Sequence, residues 1–407
     1  MSSSRERKRS RSKLGLILFG FTVGALLGEL VLRLDGYSYP QFYRADQSRG
    51  YSLRPGVEGW YRKEGESYVR INSDGLRDRE HAKTKPPDTI RIAVLGDSYA
   101  EALQVPMEAA FWSVMENRLQ GCAPTDKKIE VINFGVSGYG AAQELITLRE
   151  NVWSYSPDIV LLAVTTNNDI TDNSRELKKT NEVPYFVYRD GQLVVDDSFR
   201  NSKGYVWRQS ELASIGEWFK DHVRLVQAIN EAHHGLKALL LSMRSDAHPN
   251  VTTDTKAASI EQSTELGIEN FIYLEPTTAA WKDAWQVTEG LIKKMRDEVR
   301  SKGAKFVVAT LSNDPQVLPD PGLRNAFMKR FGVSDLFYPD NRIRALCERE
   351  GITVITLAPE LQSYAEQNKV FLHGFGKHLS FGHWNATGHR VAGELLARKL
   401  CVEAFAK

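Results

Sequence analysis

Five short and almost wholly apolar runs, separated by helical patterns, constrain the fold of this chain more than any other feature. They are IRIAVL (90–95), EVINF (130–134), DIVLLAVTT (158–166), AKFVVATL (304–311) and ITVITLA (352–358). Strands that are apolar on both faces and alternate with helices are typical of a parallel sheet covered by helices on both sides. The chain is therefore predicted to contain an α/β domain.

Helical patterns fall between and after these runs, at 107–119, 141–152, 283–301, 336–350 and 387–400. The alternation stops from about 170 to 280, where PYFVYRDGQLVV predicts a β-hairpin turning at Asp190-Gly191 and WFKDHVRLVQAINEAHH predicts a helix. We interpret 89–407 as one domain that carries this stretch as an insertion. The aromatic residues of the insertion fit either a lid or sugar platform, or ordinary core packing: Tyr185, Phe186, Tyr188, Trp207 and Trp218.

The first 34 residues have the composition of a membrane anchor. Residues 5–13 hold six basic groups and one acid, and residues 14–34 are apolar except for Glu29 and Arg33, which stand at helical spacing. About twenty helical residues cross a hydrocarbon core. The positive-inside rule places residues 1–13, a basic tail, in the cytoplasm and the chain after about residue 35 outside. We therefore predict a single-pass transmembrane signal anchor at 14–34 and an extracytoplasmic (periplasmic or extracellular) body.

A cleaved signal peptide is the alternative to this anchor, although no A-x-A-like cleavage site follows the apolar run. Between anchor and domain, residues 40–88 combine aromatic residues with Gly, Pro and Ser-Asp-Gly punctuation. This composition predicts a small region of short strands and turns, which ends in the linker-like KTKPPDT (83–89).

Charge and cysteine content argue against a nucleic-acid-binding body, a disulfide-rich framework and a cysteine metal site. Without residues 5–13 the chain has 47 basic residues (53 less 6) against 50 acidic ones (51 less 1), so nothing favours nucleic-acid binding by the body. The three cysteines allow at most one disulfide and lack metal-ligand spacing. Cys347 lies in a helical pattern and is predicted to be a buried apolar side chain.

Polar groups follow four separated segments of the predicted sheet. Ser98 comes just after the first run, Gly138 lies in the glycine-rich loop after the second, Asn168 follows the third, and His383 precedes the last helix. Ligands of open parallel sheets bind at the carboxyl ends of the strands. A serine hydroxyl needs a base to become a nucleophile, and backbone and amide N–H groups stabilise an oxyanion. The set predicts acyl transfer, with His383 as the base.

Four of the nine histidines lie in HGFGKHLSFGHWNATGH (373–389). Their spacings of five, five and six in a glycine-rich loop do not match the close pairs of zinc sites, so we expect no metal. His373 and His378 are predicted to be loop residues near the mouth of the cleft, and His389 a helix residue. Asn385 is predicted to cap the last helix.

The blocks GDSY, GVSGYG, TNND and GHWNATGH, in that order, resemble those of the SGNH (GDSL-type) hydrolase family. The resemblance covers roughly 88–170 and 283–401. INSDGLRD and LLGELVLRL also resemble segments of membrane-anchored bacterial members. The resemblance implies a flavodoxin-like three-layer α/β/α sandwich without metal or organic cofactor. It also implies Ser98 as nucleophile, His383 as base, and the Ser98 N–H, Gly138 N–H and Asn168 side chain as the oxyanion hole.

The chain departs from that family's pattern in two places. Thr166 stands where a glycine usually opens the third block. Ser380 and Phe381 stand at the two positions before the histidine where an aspartate is expected, and no acid occurs between Glu366 and His383. The acid of a triad fixes the tautomer of the histidine and stabilises its protonated form. A backbone carbonyl, the Ser380 hydroxyl or a distant acid such as Asp314 is left to take its place.

The sequence therefore predicts a serine esterase, anchored in the membrane, that cleaves acyl esters of a lipid or a cell-surface glycan. Two alternatives stay open. One is an O-acyltransferase that passes the acyl group to a glycan hydroxyl. The other is a glycan-binding protein without turnover, which the missing aspartate favours.

Overall fold

The computed structural model describes residues 2–122, 127–233 and 270–405. The chain forms two compact units. The first comprises Met1–Gln41 and Gln209–Thr253, and the second comprises Phe42–Arg208 and Asp254–Lys407.

The strands of the described residues are, in chain order, β1 (Tyr43–Asp46), β2 (Gly50–Leu53), β3 (Glu58–Tyr61), β4 (Ser67–Arg70), β5 (Thr89–Gly96), β6 (Lys128–Asn133), β7 (Ile159–Thr165), β8 (Tyr185–Arg189), β9 (Gln192–Asp196), β10 (Lys305–Leu311), β11 (Thr353–Thr356), β12 (His373–Phe375) and β13 (His378–Trp384). The α-helices that lie wholly within the described residues are α1 (Ser2–Leu34), α2 (Ser98–Glu101), α3 (Phe111–Leu119), α4 (Ala141–Glu150), α5 (Asn168–Thr171), α6 (Arg175–Lys178), α7 (Lys203–Arg208), α8 (Glu211–His222), α9 (Ala279–Ser301), α10 (Pro321–Phe331), α11 (Tyr338–Arg349), α12 (Ala358–Asn368) and α13 (Ala386–Phe405). Single 3₁₀ turns occur at Met107–Ala109, Val152–Tyr155, Ser198–Asn201, Asn270–Tyr273 and Asp314–Val317.

A five-stranded parallel sheet forms the centre of the second unit, in the order β11-β10-β7-β5-β6. Counted among themselves these strands have the order 2-1-3-4-5, which is the flavodoxin-like order. The chain leads from β5 to β6 on one side of it, and then to β7, β10 and β11 on the other side. The switch point of the sheet therefore lies between the carboxyl ends of β5 and β7. The predicted parallel sheet is confirmed.

Side chains of each central strand alternate between two separate cores. Along β5, Ala93 and Leu95 face one core, and Ile92 and Val94 face the other. Helices α4, α9 and α11 cover the first face, and α3, α12 and α13 cover the second. Because both faces are covered, every residue of β7 is buried, as its uninterrupted apolar run predicts. The predicted α/β/α sandwich is confirmed.

The region before the central sheet packs onto the edge where β5 and β6 end. Two antiparallel pairs, β1 with β2 and β3 with β4, build it. A third apolar cluster joins this region to the loops after the strands, and consists of Phe42, Leu53, Val69, Ile71, Leu103, Val136 and Tyr139. The short strands predicted for 40–88 are thus present and belong to the same unit as the sheet.

The predicted hairpin at Asp190-Gly191 is confirmed, since β8 and β9 pair around it and both turn residues have positive φ. The helix predicted over 218–234 is present in the described residues but is interrupted at Val223. Helix α8 ends at His222, Val223 is extended with φ −113° and ψ 105°, and a new helix runs from 224 to at least 233. Residue 234 lies outside the described residues.

One disulfide joins Cys122 to Cys401, with a Cα–Cα distance of 5.9 Å. It ties the residues after α3 to the end of α13. Cys347 is a free, buried cysteine, as predicted.

Candidate active site

Ser98 lies at the switch point of the sheet. It follows β5 directly and is the first residue of α2, a helix of one turn capped by Asp97, whose carboxylate accepts a hydrogen bond from the Tyr99 N–H at 3.0 Å. As the first helical residue, Ser98 has no intrahelical acceptor for its own backbone N–H. Its side chain is buried, with 4% of the residue exposed.

His383 meets Ser98 from the other end of the chain. It lies in β13, which pairs with β12 as an antiparallel hairpin. The Nε2 atom of His383 is 2.8 Å from the Ser98 hydroxyl oxygen. The sequence predicted that these two side chains would come together, and they are within hydrogen-bond distance.

The other ring nitrogen of His383 is bound by Glu64. One carboxylate oxygen of Glu64 accepts from the ring Nδ1–H, and the second accepts from the His383 backbone N–H at 2.7 Å. Since Nδ1 carries the proton in this arrangement, Nε2 has a free lone pair that faces the Ser98 hydroxyl. Serine, histidine and glutamate thus form a continuous hydrogen-bonded row.

Glu64 reaches His383 because the turn between β3 and β4 packs closely against the residues around the site. The next residue, Gly65, has φ +67°, and a Cβ there would lie 2.4 Å from the Gln104 carbonyl oxygen and 2.9 Å from the Phe375 ring. Only glycine fits this contact without moving the backbone. The Glu64 side chain keeps 14% exposure, so its carboxylate is largely shielded from solvent.

A second histidine holds the hairpin of His383 in place. His373 is 2.7 Å from the Gly382 carbonyl oxygen through Nδ1 and 3.1 Å from the Ser312 hydroxyl through Nε2. Trp384 donates to the same Ser312 hydroxyl at 2.8 Å. Burial lowers the pKa of His373 to about 4, so its ring is neutral near neutral pH. His373 was predicted to be a loop residue near the mouth of the cleft, which is wrong: it belongs to β12 and is 2% exposed.

Gly138 lies in the loop between β6 and α4 with φ +73°, and a Cβ at this position would lie 2.6 Å from the Tyr51 hydroxyl. That hydroxyl donates to the Ser137 carbonyl at 2.8 Å. The Ser137 carbonyl and the Gly138 N–H belong to one trans peptide plane and point in opposite directions. Tyr51 therefore fixes the direction of the Gly138 N–H, and no acceptor for this N–H is found among the described residues.

Asn168 is the first residue of α5, which is separated from the end of β7 by two residues. Its side-chain amide donates to Asp97 at 3.2 Å, which leaves the second amide N–H without a partner in the described part of the chain. Thr165 binds the same Asp97 carboxylate at 2.9 Å. Burial raises the pKa of Asp97, and the hydrogen bonds from Tyr99, Thr165 and Asn168 act in the opposite direction. Asp97 thus links the strand end that carries Ser98 to the one that carries Asn168.

Several further carboxyl groups are buried around the loop of Gly138. Burial raises the pKa of Glu101 to about 7, and its carboxyl group accepts from the Tyr43 hydroxyl at 2.8 Å and the Ser137 N–H at 3.0 Å. Burial raises the pKa of Glu144 and of Asp169 well above the ordinary range, and repulsion from Asp97 and Asp172 acts in the same direction on both. For Glu144 and Asp169 burial therefore favours the neutral form.

The sequence identified Ser98, Gly138, Asn168 and His383 but missed Glu64. Glu64 lies 319 residues from His383 in the chain and outside the four blocks. Its only local signal is an acid followed by glycine in a turn, which is common. The Ser380 hydroxyl and Asp314, both considered for this place, are not the groups that bind Nδ1 of His383.

The remaining motif residues have structural roles. Thr166, at the position of the expected glycine, accepts a hydrogen bond from the Asn313 amide at 3.0 Å. The Asn385 side chain accepts from the N–H groups of Thr387 and Gly388 at 3.0 and 3.1 Å and caps α13 as predicted. His389 is a fully buried residue of that helix. Among the described residues no group of three or more His, Cys, Asp or Glu could hold a metal ion.

No protein-family model and no curated protein match this sequence. The alignment with the acetyl xylan esterase AlAXEase covers 77% of this chain and 100% of the esterase, at 15% identity and a TM-score of 0.38. A catalytic mutant of Axe2, an acetylxylan esterase from Geobacillus stearothermophilus, covers 78% and 96% of the two chains at 11% identity and a TM-score of 0.36. LAE5, an alpha/beta hydrolase enzyme from the metagenome of Lake Arreo in Spain, covers 77% and 96% at 12% identity and a TM-score of 0.37.

Proposed function

We propose that this protein is a membrane-anchored serine esterase that cleaves acyl esters of a lipid or a cell-surface glycan. The observation that carries the proposal is the row Ser98, His383, Glu64, in which each side chain is within hydrogen-bond distance of the next. Nucleophile, base and orienting acid are the three parts that activate a serine hydroxyl for acyl transfer.

The proposed reaction proceeds in two halves. His383 Nε2 takes the proton of the Ser98 hydroxyl while its oxygen attacks the ester carbonyl carbon, and Glu64 stabilises the imidazolium that forms. The tetrahedral intermediate collapses by breaking the bond to the alcohol, which receives the proton from His383. A water molecule then attacks the acyl-serine with His383 again as base, and releases the carboxylic acid and the free Ser98 hydroxyl.

The proposed oxyanion hole consists of the Ser98 N–H, the Gly138 N–H and the Asn168 side-chain amide. Three features of the geometry support it. The Ser98 N–H lies at a helix start, Tyr51 sets the direction of the Gly138 N–H, and Asp97 holds the plane of the Asn168 amide. Removing one such preorganised donor typically costs about 10²- to 10³-fold in kcat.

We propose that residues 14–34 anchor the protein and that the catalytic unit faces the extracytoplasmic space. One helix in the described residues, Gly15–Leu34, is long and apolar enough to cross a membrane, and none of it is buried within the protein. The basic tail before it favours a cytoplasmic N-terminus. The Cys122–Cys401 disulfide supports the same topology independently, because disulfides persist in oxidising compartments and are rare in the cytosol.

The structure also bears on the alternatives. The non-catalytic alternative drew its support from the missing aspartate, and Glu64 removes that support because it binds His383 Nδ1. Transfer of the acyl group to a glycan hydroxyl uses the same residues in the first half-reaction. Product analysis with water and sugar competing as acceptors separates hydrolysis from transfer.

The test uses the full chain in detergent, a fluorophosphonate probe, and hydrolysis of p-nitrophenyl acetate. Wild type is expected to be labelled and to turn over, and Ser98→Ala and His383→Ala are expected to lose both. Ser380→Ala is the matched control, since this hydroxyl lies three residues before His383 but does not bind its Nδ1; it is expected to behave as wild type. Absence of labelling in a folded wild-type protein would refute the proposal.

A further inference from the structure

Helix α8 of the first unit exposes an apolar face, which we define as Leu212, Ile215, Trp218 and Phe219. These side chains are 68%, 55%, 52% and 47% exposed. Their spacing of three, three and one places them on one side of the helix. Trp218 and Phe219 contact each other edge to face with ring centroids 5.2 Å apart, so the face is continuous.

The opposite side of α8 is mostly polar, and it is the less exposed side. Ala213, Glu217, Lys220 and Asp221 are all half-buried, whereas the four residues of the apolar face are all exposed. A surface helix in water has the reverse arrangement, with apolar residues inward. A contiguous exposed apolar face therefore indicates an apolar partner that the described residues do not supply.

The end of α8 is fastened to the last turns of the anchor helix α1. The Glu29 carboxylate accepts from the backbone N–H groups of Arg224 and Leu225 at 3.0 and 2.9 Å, where the next helix begins. Arg33, paired with Glu29 at 2.8 Å, donates to the His222 carbonyl at the end of α8. A helix start is a favourable place for a carboxylate, so this contact fixes the bend at 222–225 against α1.

A third residue, Gln227, also holds the bend at 222–225. Gln227 is buried and accepts from the Tyr39 N–H at 2.7 Å, while its amide donates to the Lys220 carbonyl at 2.7 Å. Tyr39 lies five residues past the end of α1. The chain leaving the anchor and the C-terminal end of α8 are thus held together by hydrogen bonds from three different residues.

We propose that α8 lies in the outer interface of the membrane, with its apolar face in the lipid. The inference rests on the proposed anchor: Glu29 and Arg33 stand in the last six residues of the candidate span Gly15–Leu34, which is the level of the membrane interface. The bend that they bind, and hence the end of α8, is held at that level. Interfacial helices have a strongly one-sided apolar face that enters the headgroup and acyl boundary by about 5–10 Å.

The composition of the apolar face favours lipid over a second protein. Tryptophan is enriched at the membrane–water interface, and Trp218 stands on this face together with Phe219. The apolar face and the anchor both belong to the first unit, so the lipid that surrounds α1 is the apolar phase nearest to the attached end of α8. The proposal gives this protein a second attachment to the bilayer beside its transmembrane helix.

The test measures membrane depth in the full chain, reconstituted in vesicles of phosphatidylcholine and phosphatidylglycerol. In a Cys347→Ala background, single cysteines carry the fluorophore NBD at Ile215 or Leu212 on the apolar face. Ser214 is the matched control, exposed but about 100° round the helix from Ile215. Val23, in the middle of the anchor, reports on the anchor itself. Lipids with a spin label near the headgroup or deep in the acyl chain quench the fluorophore.

The expected result is a blue-shifted emission at positions 212 and 215 that the shallow label quenches more than the deep one. Position 214 is expected to emit as in water, and position 23 to be quenched most by the deep label. Equal, water-like emission at 215 and 214 with quenching at 23 overturns the proposal and leaves the anchor intact. Blue-shifted emission at 215 that neither lipid label quenches overturns it in favour of a protein partner. No quenching at 23 refutes the anchor, and the proposal with it.

Discussion

Replacement of Glu64 by glutamine is the sharpest test of the proposed mechanism, because the structure fixes what the amide cannot do. Both oxygens of Glu64 accept hydrogen bonds from His383, one from the ring Nδ1–H and one from the backbone N–H. Glutamine keeps one acceptor and gains an NH₂ group that only donates. One of the two bonds must therefore become a contact between two donors.

Either orientation of the glutamine is unfavourable for catalysis. If its NH₂ faces the ring, His383 adopts the tautomer with the proton on Nε2, which cannot accept the proton of Ser98. If its NH₂ faces the backbone N–H, the repulsion displaces the segment that carries the ring. In the serine proteases the corresponding change of acid to amide costs about 10⁴ in kcat through the wrong tautomer. We expect a loss of about 10³- to 10⁴-fold here, or about 4–5.5 kcal/mol of transition-state stabilisation.

The assay compares kcat and KM for p-nitrophenyl acetate, together with the rate of labelling by a fluorophosphonate. The matched control is Glu66→Gln: Glu66 lies in the same turn, is 59% exposed and pairs with Arg62 at 2.8 Å. It is expected to keep wild-type kcat and KM. Unfolding midpoints of both variants report whether the turn is intact. If a folded Glu64→Gln protein keeps kcat within a few-fold of wild type, Glu64 is not the orienting acid.

Three further outcomes follow from individual contacts. Tyr51→Phe removes the hydroxyl that sets the direction of the Gly138 N–H. Because a neutral hydrogen bond contributes about 1 kcal/mol, kcat is expected to fall about fivefold with KM unchanged. An unchanged kcat would count against this role of Tyr51. Reduction of the Cys122–Cys401 disulfide is expected to lower the free energy of unfolding by about 3–5 kcal/mol in a denaturant titration with and without reductant. His373 has a folded-state pKa of about 4, below the 6.5 of the unfolded state, so its contribution to stability is present above pH 6.5 and is lost as the pH falls toward 4. Between these pH values the unfolding free energy of wild type should fall by about 3 kcal/mol relative to that of His373→Gln, and parallel pH profiles of the two proteins would refute the buried neutral ring.

The central sheet was predictable because each strand, taken by itself, is a run of apolar residues that has to be buried. Residues 159–164 are apolar without interruption, and every residue of β7 is buried. A parallel sheet covered on both faces demands such runs, and few other structures allow them. The four motif positions were predictable for a related reason, since each follows a strand or precedes a helix, and strand ends meet at one edge of the sheet.

Contacts between distant segments were not predictable in the same way. Glu64 comes from a turn whose position depends on Gly65 fitting against Gln104 and Phe375, which no local pattern reveals. His373 stands in a glycine-rich stretch typical of a loop, yet pairing of β12 with β13 buries it. For α8 the spacing of apolar residues indicates a one-sided helix but does not reveal whether that side faces the protein or the outside.

Glu64 and Tyr51 extend the proposed site to the region before the central sheet. The four blocks that resemble known hydrolases lie after residue 88, but the acid that binds His383 and the hydroxyl that orients the Gly138 peptide both lie before it. The same region covers Leu103, Val136 and Tyr139 with its own apolar side chains. A protein cut at residue 88 would therefore lack two parts of the proposed site and expose the loops that carry the others. The second unit begins at Phe42, and the region before the sheet supplies part of the proposed active site.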